Sequence, residues 1–295
     1  MEGISIRVPA TSANLGPGFD CLGLALNLYA RFDFEPAESG LVISGCRADD
    51  ANENNLVWRA YARALQYAGK APGGLRLRIS SDIPVSRGLG SSAACAVGGI
   101  LGADRLHRLR LTEEEMLNLA AELEGHPDNA APALFGGLRV SLTEQGRALS
   151  LPAPVHPSLR FLSLVPDFEL LTSAARTVLP VSVPLRDAVF NLSRAAFLLK
   201  AMEEGDIALI RLAMQDRLHQ DARFALIPGA AKLKQRMEGL GAACCLSGAG
   251  PSLLCLYTED DFPVRARGAL EESPIRFTAL PLALCREGAE ASPRP

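Results

Sequence analysis

The sequence predicts an α+β protein in two domains, and three observations lead there. Stretches with strand alternation and stretches with helical spacing are mixed along the chain without the regular β-α-β period of a doubly wound sheet. A Gly-, Pro- and polar-rich stretch at 144–158 interrupts the apolar pattern near the middle of the chain. The 295 residues, 48% of them hydrophobic, are enough for one large domain or two medium ones, each with its own core. The boundary is therefore expected at 155/156, giving domains at 1–155 and 156–295.

The elements follow in order. Ile4 to Val8 alternates like a strand, as do Leu41 to Ser44 and Leu75 to Ile79, where Leu75, Leu77 and Ile79 face one way and Arg76 and Arg78 the other. Between the last two, Leu56, Val57, Ala60, Tyr61, Ala64, Leu65 and Ala68 recur at helical spacing, with Asn54 and Asn55 suited to cap the helix start. Ser91 to about Leu109 reads as a buried helix of small residues. Thr112 and Glu115 form a capping box that opens a further helix to about Glu124. Gly137 to Leu142 is strand-like, and beyond the boundary so is Leu159 to Val165. Helical spacing then covers Pro184 to Glu204, Asp206 to Gln215 and Ala230 to Gly239. Strands are expected at Ala242 to Leu246, Ser252 to Tyr257 and Ile275 to Leu284, with a frayed tail after Gly288.

Several function classes are disfavoured by composition. Net charge is −3 and no Lys/Arg block stands out, which argues against a nucleic-acid partner. The longest apolar run, Ala93 to Ala103, is too short to cross a bilayer, and the N-terminus has no signal-peptide pattern, so a cytoplasmic protein is expected. Seven cysteines without a Cys-x-x-Cys pair read as core thiols of a reducing compartment. The four histidines are scattered and form no metal motif, and Trp58 reads as a packing residue.

Three Gly-rich segments carry the chemistry. Pro84-Val85-Ser86-Arg87-Gly88-Leu89-Gly90-Ser91-Ser92-Ala93-Ala94 joins a strand-like stretch to the start of a helix. A helix N-terminus presents free backbone N–H groups and partial positive charge, glycines let the backbone approach an anion, and serines add donors. That combination suits a nucleotide phosphate, with Arg87 either touching it or pointing to solvent. The other two segments are Pro9 to Asp20, which holds Asn14, Gly16 and Gly18, and Leu246-Ser247-Gly248-Ala249-Gly250-Pro251-Ser252. Gly88-x-Gly90-x-x-Ala93 comes close to a dinucleotide fingerprint, but it lies late in the chain and lacks the acidic residue at a second strand's end. No Gly-x-x-x-x-Gly-Lys-[Ser/Thr] loop is present, and protein-kinase motifs are absent.

Together the three segments resemble the signature motifs of the GHMP kinase superfamily. Thr11-Ser12-Ala13-Asn14-Leu15-Gly16-Pro17-Gly18-Phe19-Asp20 and Glu124-Gly125-His126-Pro127-Asp128-Asn129, with Phe135-Gly136-Gly137 following, resemble its homoserine kinase branch. The resemblance runs from about residue 4 to 285. It implies an N-terminal, ATP-binding domain like the second domain of ribosomal protein S5 and a ferredoxin-like GHMP C-terminal domain. It also implies a left-handed β-α-β crossover against the usual rule, a cleft between the domains and, in many relatives, a homodimer. The implied activity is transfer of the ATP γ-phosphate to the hydroxyl of L-homoserine, on the route to threonine. The alternatives are another GHMP small-molecule kinase, such as a mevalonate-type one, or a silent nucleotide or metabolite sensor.

The resemblance also assigns residues. Pro84 to Ala94 would hold ATP. Arg176, in Thr172-Ser173-Ala174-Ala175-Arg176, and Arg223, in His219-Gln220-Asp221-Ala222-Arg223, would grip the substrate carboxylate, because a guanidinium fork suits it. Asp20 would take the ammonium, with Asn14, His126, Asp128, Thr172 and Gly248 nearby. Mg²⁺ needs oxygen ligands; Ser91 or Ser92 can supply a hydroxyl, and Glu124, with Glu122 as the second choice, the carboxylate. Asn14, Asp128, Asn129 and Ser92 form the expected catalytic set. Whether Asp128 is a general base, or the proton leaves on the γ-phosphate, stays open at this level.

Overall fold

The computed structural model describes residues 3–294. The first unit contains β1 (Ile4–Ala13), β2 (Leu22–Ala37), β3 (Leu41–Ser44), α1 (Leu56–Tyr67), β4 (Gly74–Ser81), α2 (Ser91–His107), α3 (Glu113–Glu124), α4 (Pro127–Phe135), β5 (Leu138–Glu144) and β6 (Arg147–Ala153). The second contains β7 (Arg160–Pro166), α5 (Thr172–Thr177), α6 (Leu185–Glu204), α7 (Ile207–Ala213), α8 (Gln220–Phe224), α9 (Ala230–Gly239), β8 (Ala243–Leu246), β9 (Leu253–Tyr257), α10 (Phe262–Leu270) and β10 (Phe277–Leu282). A last strand, β11 (Glu290–Pro293), follows.

The first sheet runs β11-β1-β2-β4-β3, and β5 pairs with β2 and carries β6. Strands β3 and β4 are parallel, joined through α1. The second sheet runs β10-β7-β9-β8, antiparallel throughout. In chain order its strands lie fourth, first, third, second, which is the ferredoxin-like β-α-β-β-α-β arrangement. Along β7, Phe161 and Val165 face the core shared with the first unit, while Leu162 and Leu164 face a second cluster built on α9 and α10. The two units thus share continuous apolar packing, and a cleft opens where their loops meet.

Helix α2 explains its own composition. A Cβ at Gly98 would meet the Phe32 ring at 2.3 Å and one at Gly102 the Phe34 ring at 2.5 Å. On the other side, a Cβ at Gly99 would meet the Val57 carbonyl oxygen of α1 at 2.3 Å. Only a helix of small residues fits between this sheet and α1. Helix α3 has the expected capping box, with Thr112 accepting from the Glu115 backbone and Glu115 reaching back.

Four expectations need correction. Strand β2, sixteen residues long, has no counterpart in the pattern reading, because Leu22 to Leu26 are all buried and show no alternation. The stretch 144–158, named for the domain boundary by its Gly, Pro and polar content, also holds β6, an edge strand whose mostly exposed residues give little apolar signal. Helix α4 was hidden by two prolines; Pro127 sits at its start, where a missing N–H costs nothing. The tail is not frayed: Glu290 to Pro293 pair antiparallel with Arg7 to Ile4, and Leu26 bridges Leu284. We propose that the first unit is residues 1–155 together with this returning tail. Among the described residues no helix is long and apolar enough to cross a membrane. All seven cysteines are free.

Candidate active site

The loop before α2 folds as an anion cradle. Gly90 caps the helix at φ +68, and Ala94 N–H is the first to bond inside the turn, to Gly90 O at 2.9 Å. The amides of Ser91, Ser92 and Ala93 therefore end the helix without a partner of this kind, with the positive end of the helix behind them. A Cβ on Gly90 would lie 1.9 Å from Thr11 Oγ1, and one on Gly88 2.3 Å from Ser247 O. Those close approaches bring the three Gly-rich segments together. Ser247 Oγ donates to Gly88 O at 2.6 Å and Thr11 N–H to Leu89 O at 3.1 Å; Asn14 Nδ2 donates to Gly248 O at 2.8 Å.

Not all of Pro84 to Ala94 faces the cleft. Val85 to Gly88 and Gly90 to Ser92 line it, but the side chains of Leu89, Ala93 and Ala94 are buried in the core beneath, and Pro84 is off the lining. Arg87 lines the cleft, but its guanidinium is turned to the second unit. Its Nε donates to Pro166 O at 3.0 Å, tying the loop to the second unit. Leu170 N–H donates to Ser86 O at 3.0 Å in the same tie.

At the helix start, Ser92 Oγ donates to Glu124 Oε1 at 2.5 Å. Desolvation deep in the cleft raises the Glu124 pKa, only partly offset by Ser92 and by the charge of His126. A hydroxyl and a desolvated carboxylate side by side are a hard-oxygen donor set that fits Mg²⁺. The hydroxyl is that of Ser92; Ser91 lines the cleft without this contact. Glu122 lies apart from this pair, on the outer face of α3 in a bidentate pair with Arg63, at 3.0 and 2.9 Å.

The far end of the cleft is densely charged. Arg176, on α5, holds Asp20 with two hydrogen bonds of 3.1 and 2.7 Å. Arg223, on α8, is 1% exposed, and burial, then the charge of Arg176, lowers its pKa to about 10. Its Nη1 donates to Gly248 O at 3.2 Å. The rings of both arginines' neighbour, Phe19, lie under their guanidinium groups at 5.5 and 5.2 Å. On α4, Asp128 accepts a very short hydrogen bond from His126 Nδ1. Burial alone would lower the His126 pKa, but the hydrogen bond and charge of Asp128, with the charge of Asp20, raise it overall. Asn129 accepts from Thr11 Oγ1 at 2.7 Å. Asp20, His126 and Asp128 bring their ligand atoms within 4.8 Å of one another.

Asn14, expected to touch substrate or take part in catalysis, has both ends of its amide engaged. Its Oδ1 accepts from Asp20 N–H at 3.0 Å while Nδ2 binds Gly248 O. It is a brace between the first and third segments. Thr172 opens α5 at the cleft rim.

The cleft is a cavity of about 760 Å³, within the range of small-molecule sites. Its other end is apolar, lined by Phe32, Ile79, Ile83, Leu123, Cys46 and Cys95. Sequence reasoning missed these residues because they come from four separate elements and two loops and each reads as ordinary core. Asn55 lies there too, but its side chain caps α1 by accepting from Val57 N–H at 3.0 Å.

The arrangement has known counterparts. The model of the GHMP kinases N terminal domain matches residues 55–137, and that of the GHMP kinases C terminal matches 198–274. The chain is 46% identical over 259 residues to homoserine kinase of Clostridium botulinum, covering 88% of this chain and 87% of that protein. It is 42% identical over 290 residues to homoserine kinase of Clostridium beijerinckii, covering 97% of each. The crystal structure of homoserine kinase from Cytophaga hutchinsonii superposes with a TM-score of 0.89 at 28% identity, covering 99% of this chain and 98% of that one. L. major mevalonate kinase, at 18% identity and a TM-score of 0.73, shares the fold over 94% of each chain.

Proposed function

The chain belongs to the GHMP kinase family, and from that premise we infer that it transfers the γ-phosphate of ATP to the side-chain hydroxyl of L-homoserine, giving O-phospho-L-homoserine for threonine biosynthesis. One observation carries the choice of substrate. The charged end of the cleft sets the cations Arg176 and Arg223 beside the anions Asp20 and Asp128, within reach of the α2 N-terminus. A small zwitterion needs such a pair of opposite charges, whereas mevalonate, a carboxylate without an ammonium, offers the acids no cation.

ATP would place its base at the apolar end and its phosphates on the Gly88 to Ser92 backbone. Arg176 and Arg223 take the substrate carboxylate, with Asp20 released to the ammonium. Phosphoryl transfer depends mainly on positioning and charge neutralisation. Ser92 and Glu124 would hold Mg²⁺, which neutralises phosphate charge when bound. Asp128 accepts from His126 Nδ1 at Oδ1, which fixes the carboxylate in place beside the acceptor hydroxyl's site. Asp128 and His126 orient the amino alcohol, and the proton leaves with the transferred phosphoryl group. Free thiols throughout the chain suit a reducing cytoplasm.

The test is incubation with Mg-ATP and L-homoserine, read by phosphorus NMR. A new phosphomonoester signal matching O-phosphohomoserine is expected. Turnover of mevalonate in preference to homoserine, or tight ATP binding with no turnover of either, would overturn the reading.

A further inference from the structure

We infer that His219 is the positioning residue for carboxylate recognition: it fixes the Arg223 guanidinium so that the free edge of the fork meets the carboxylate of the amino-acid substrate. The inference rests on the homoserine reading above. His219 is 1% exposed and touches no open part of the cleft. Its Nε2 is 2.8 Å from Gly16 O, and its Nδ1 is 3.1 Å from Arg223 Nη1.

These two partners dictate the state of the ring. A carbonyl oxygen can only accept, so Nε2 must carry the proton. A guanidinium can only donate, so Nδ1 must be bare. Burial holds the imidazole neutral by lowering its pKa, with the charge of Asp216 opposing and that of Arg223 assisting. The main chain that carries the ring is held by the Asp216 carboxylate, which accepts from the backbone N–H of His219 at 2.8 Å and of Gln220 at 2.7 Å. Phe19 closes its face, with ring centroids 5.1 Å apart.

The consequence falls on Arg223. Nη1 is used by His219 and Gly248 O, and Nε approaches Ala175 O at 3.4 Å. Nη2 has no hydrogen-bond partner among the described residues, and Arg223 lines the cleft. An arginine anchored on one side and open on the other is pre-organised for a carboxylate. His219 also bonds to Gly16 in the segment that carries Asp20, so the carboxylate and ammonium subsites share one brace.

The test separates the two hydrogen bonds of the ring. His219→Asn keeps an acceptor near the Nδ1 position and so keeps Arg223 aligned. His219→Gln keeps a donor near the Nε2 position and loses that acceptor. Calorimetric titration with L-homoserine, together with steady-state kinetics, should show the Asn variant binding within about 3-fold of wild type. The Gln variant should lose about 10–100-fold in homoserine affinity, the scale of a hydrogen bond to a charged group. Its KM for ATP should move little. In an Arg223→Ala background both substitutions should lose their effect on homoserine affinity. Equal losses in the two variants, parallel losses of ATP affinity, or additive losses with Arg223→Ala would make His219 structural only and overturn the inference. A wild-type protein that binds and phosphorylates no homoserine would instead overturn the functional reading and this inference with it.

Discussion

The guanidinium of Arg176 lies against the carboxylate of Asp20 through two hydrogen bonds, of 3.1 and 2.7 Å, between residues 156 positions apart. Each partner was expected on a different end of the substrate, yet here they meet each other. A zwitterion can replace both contacts at once, its carboxylate taking the arginine and its ammonium the aspartate. Arg176→Ala should therefore raise the KM for homoserine about 10–100-fold, the scale of one or two charge-assisted hydrogen bonds. KM for ATP should stay within about 3-fold. Both side chains are over a third exposed, so Tm should fall by no more than about 3 °C. Equal increases in the two KM values would remove Arg176 from the substrate site.

Glu124 faces the cleft and Glu122 faces Arg63, so their glutamine variants should behave differently. Glu124→Gln should lower kcat/KM by about 100-fold or more and shift the Mg²⁺ titration to higher concentration. Because desolvation raises the Glu124 pKa, its ionised form costs stability above its ordinary value. The Gln variant should thus be at least as stable as wild type at neutral pH without Mg²⁺. Glu122→Gln should be close to wild type in the Mg²⁺ titration. Exchange of these two phenotypes would refute the assignment of the carboxylate.

Asp128 accepts from His126 Nδ1 at Oδ1, with Asn129 Nδ2 close to the same oxygen, and in the proposed mechanism it orients the substrate rather than taking the hydroxyl proton. Asp128→Asn should weaken homoserine binding while retaining more than about a tenth of kcat at saturating substrate. A fall of about 1,000-fold in kcat with unchanged KM would identify Asp128 as the base after all.

His126 has a raised pKa, so its protonated pair with Asp128 stabilises the fold fully below the ordinary histidine value and loses that effect as pH rises through the raised one. The Tm difference between wild type and His126→Gln should be largest near about pH 6 and shrink by about pH 9. Differential scanning calorimetry across that window checks it. A difference that stays constant or grows with pH would contradict the protonated pair.

Much of the site was legible because its chemistry is concentrated in short segments. Gly88, Gly90 and Ser92 announce an anion cradle by composition alone, and the capping box of Thr112 and Glu115 fixes where α3 starts and hence where Glu124 ends it. The choice between Glu122 and Glu124 was not legible, because two residues apart on a helix means opposite directions and no local signal says which faces inward. Strand β2 escaped because both faces of its first turns are covered, which erases the alternation that marks a strand. His219 escaped for a different reason: it takes its role from Gly16, 203 residues away, together with Arg223 four residues on, and neither contact shows in local spacing.

By itself the sequence determined the fold class and the three Gly-rich turns, because these depend on spacing within a few residues, and its motifs carried the resemblance that implied an ATP-dependent transfer to a small amino alcohol. Only the tertiary structure decided which serine stands with which glutamate, that Asn14 braces the first segment to the third, that Arg87 ties two units, and that the tail completes the first sheet. Those outcomes depend on packing between residues far apart in the chain, where direction and desolvation, not residue type, set what a side chain can do.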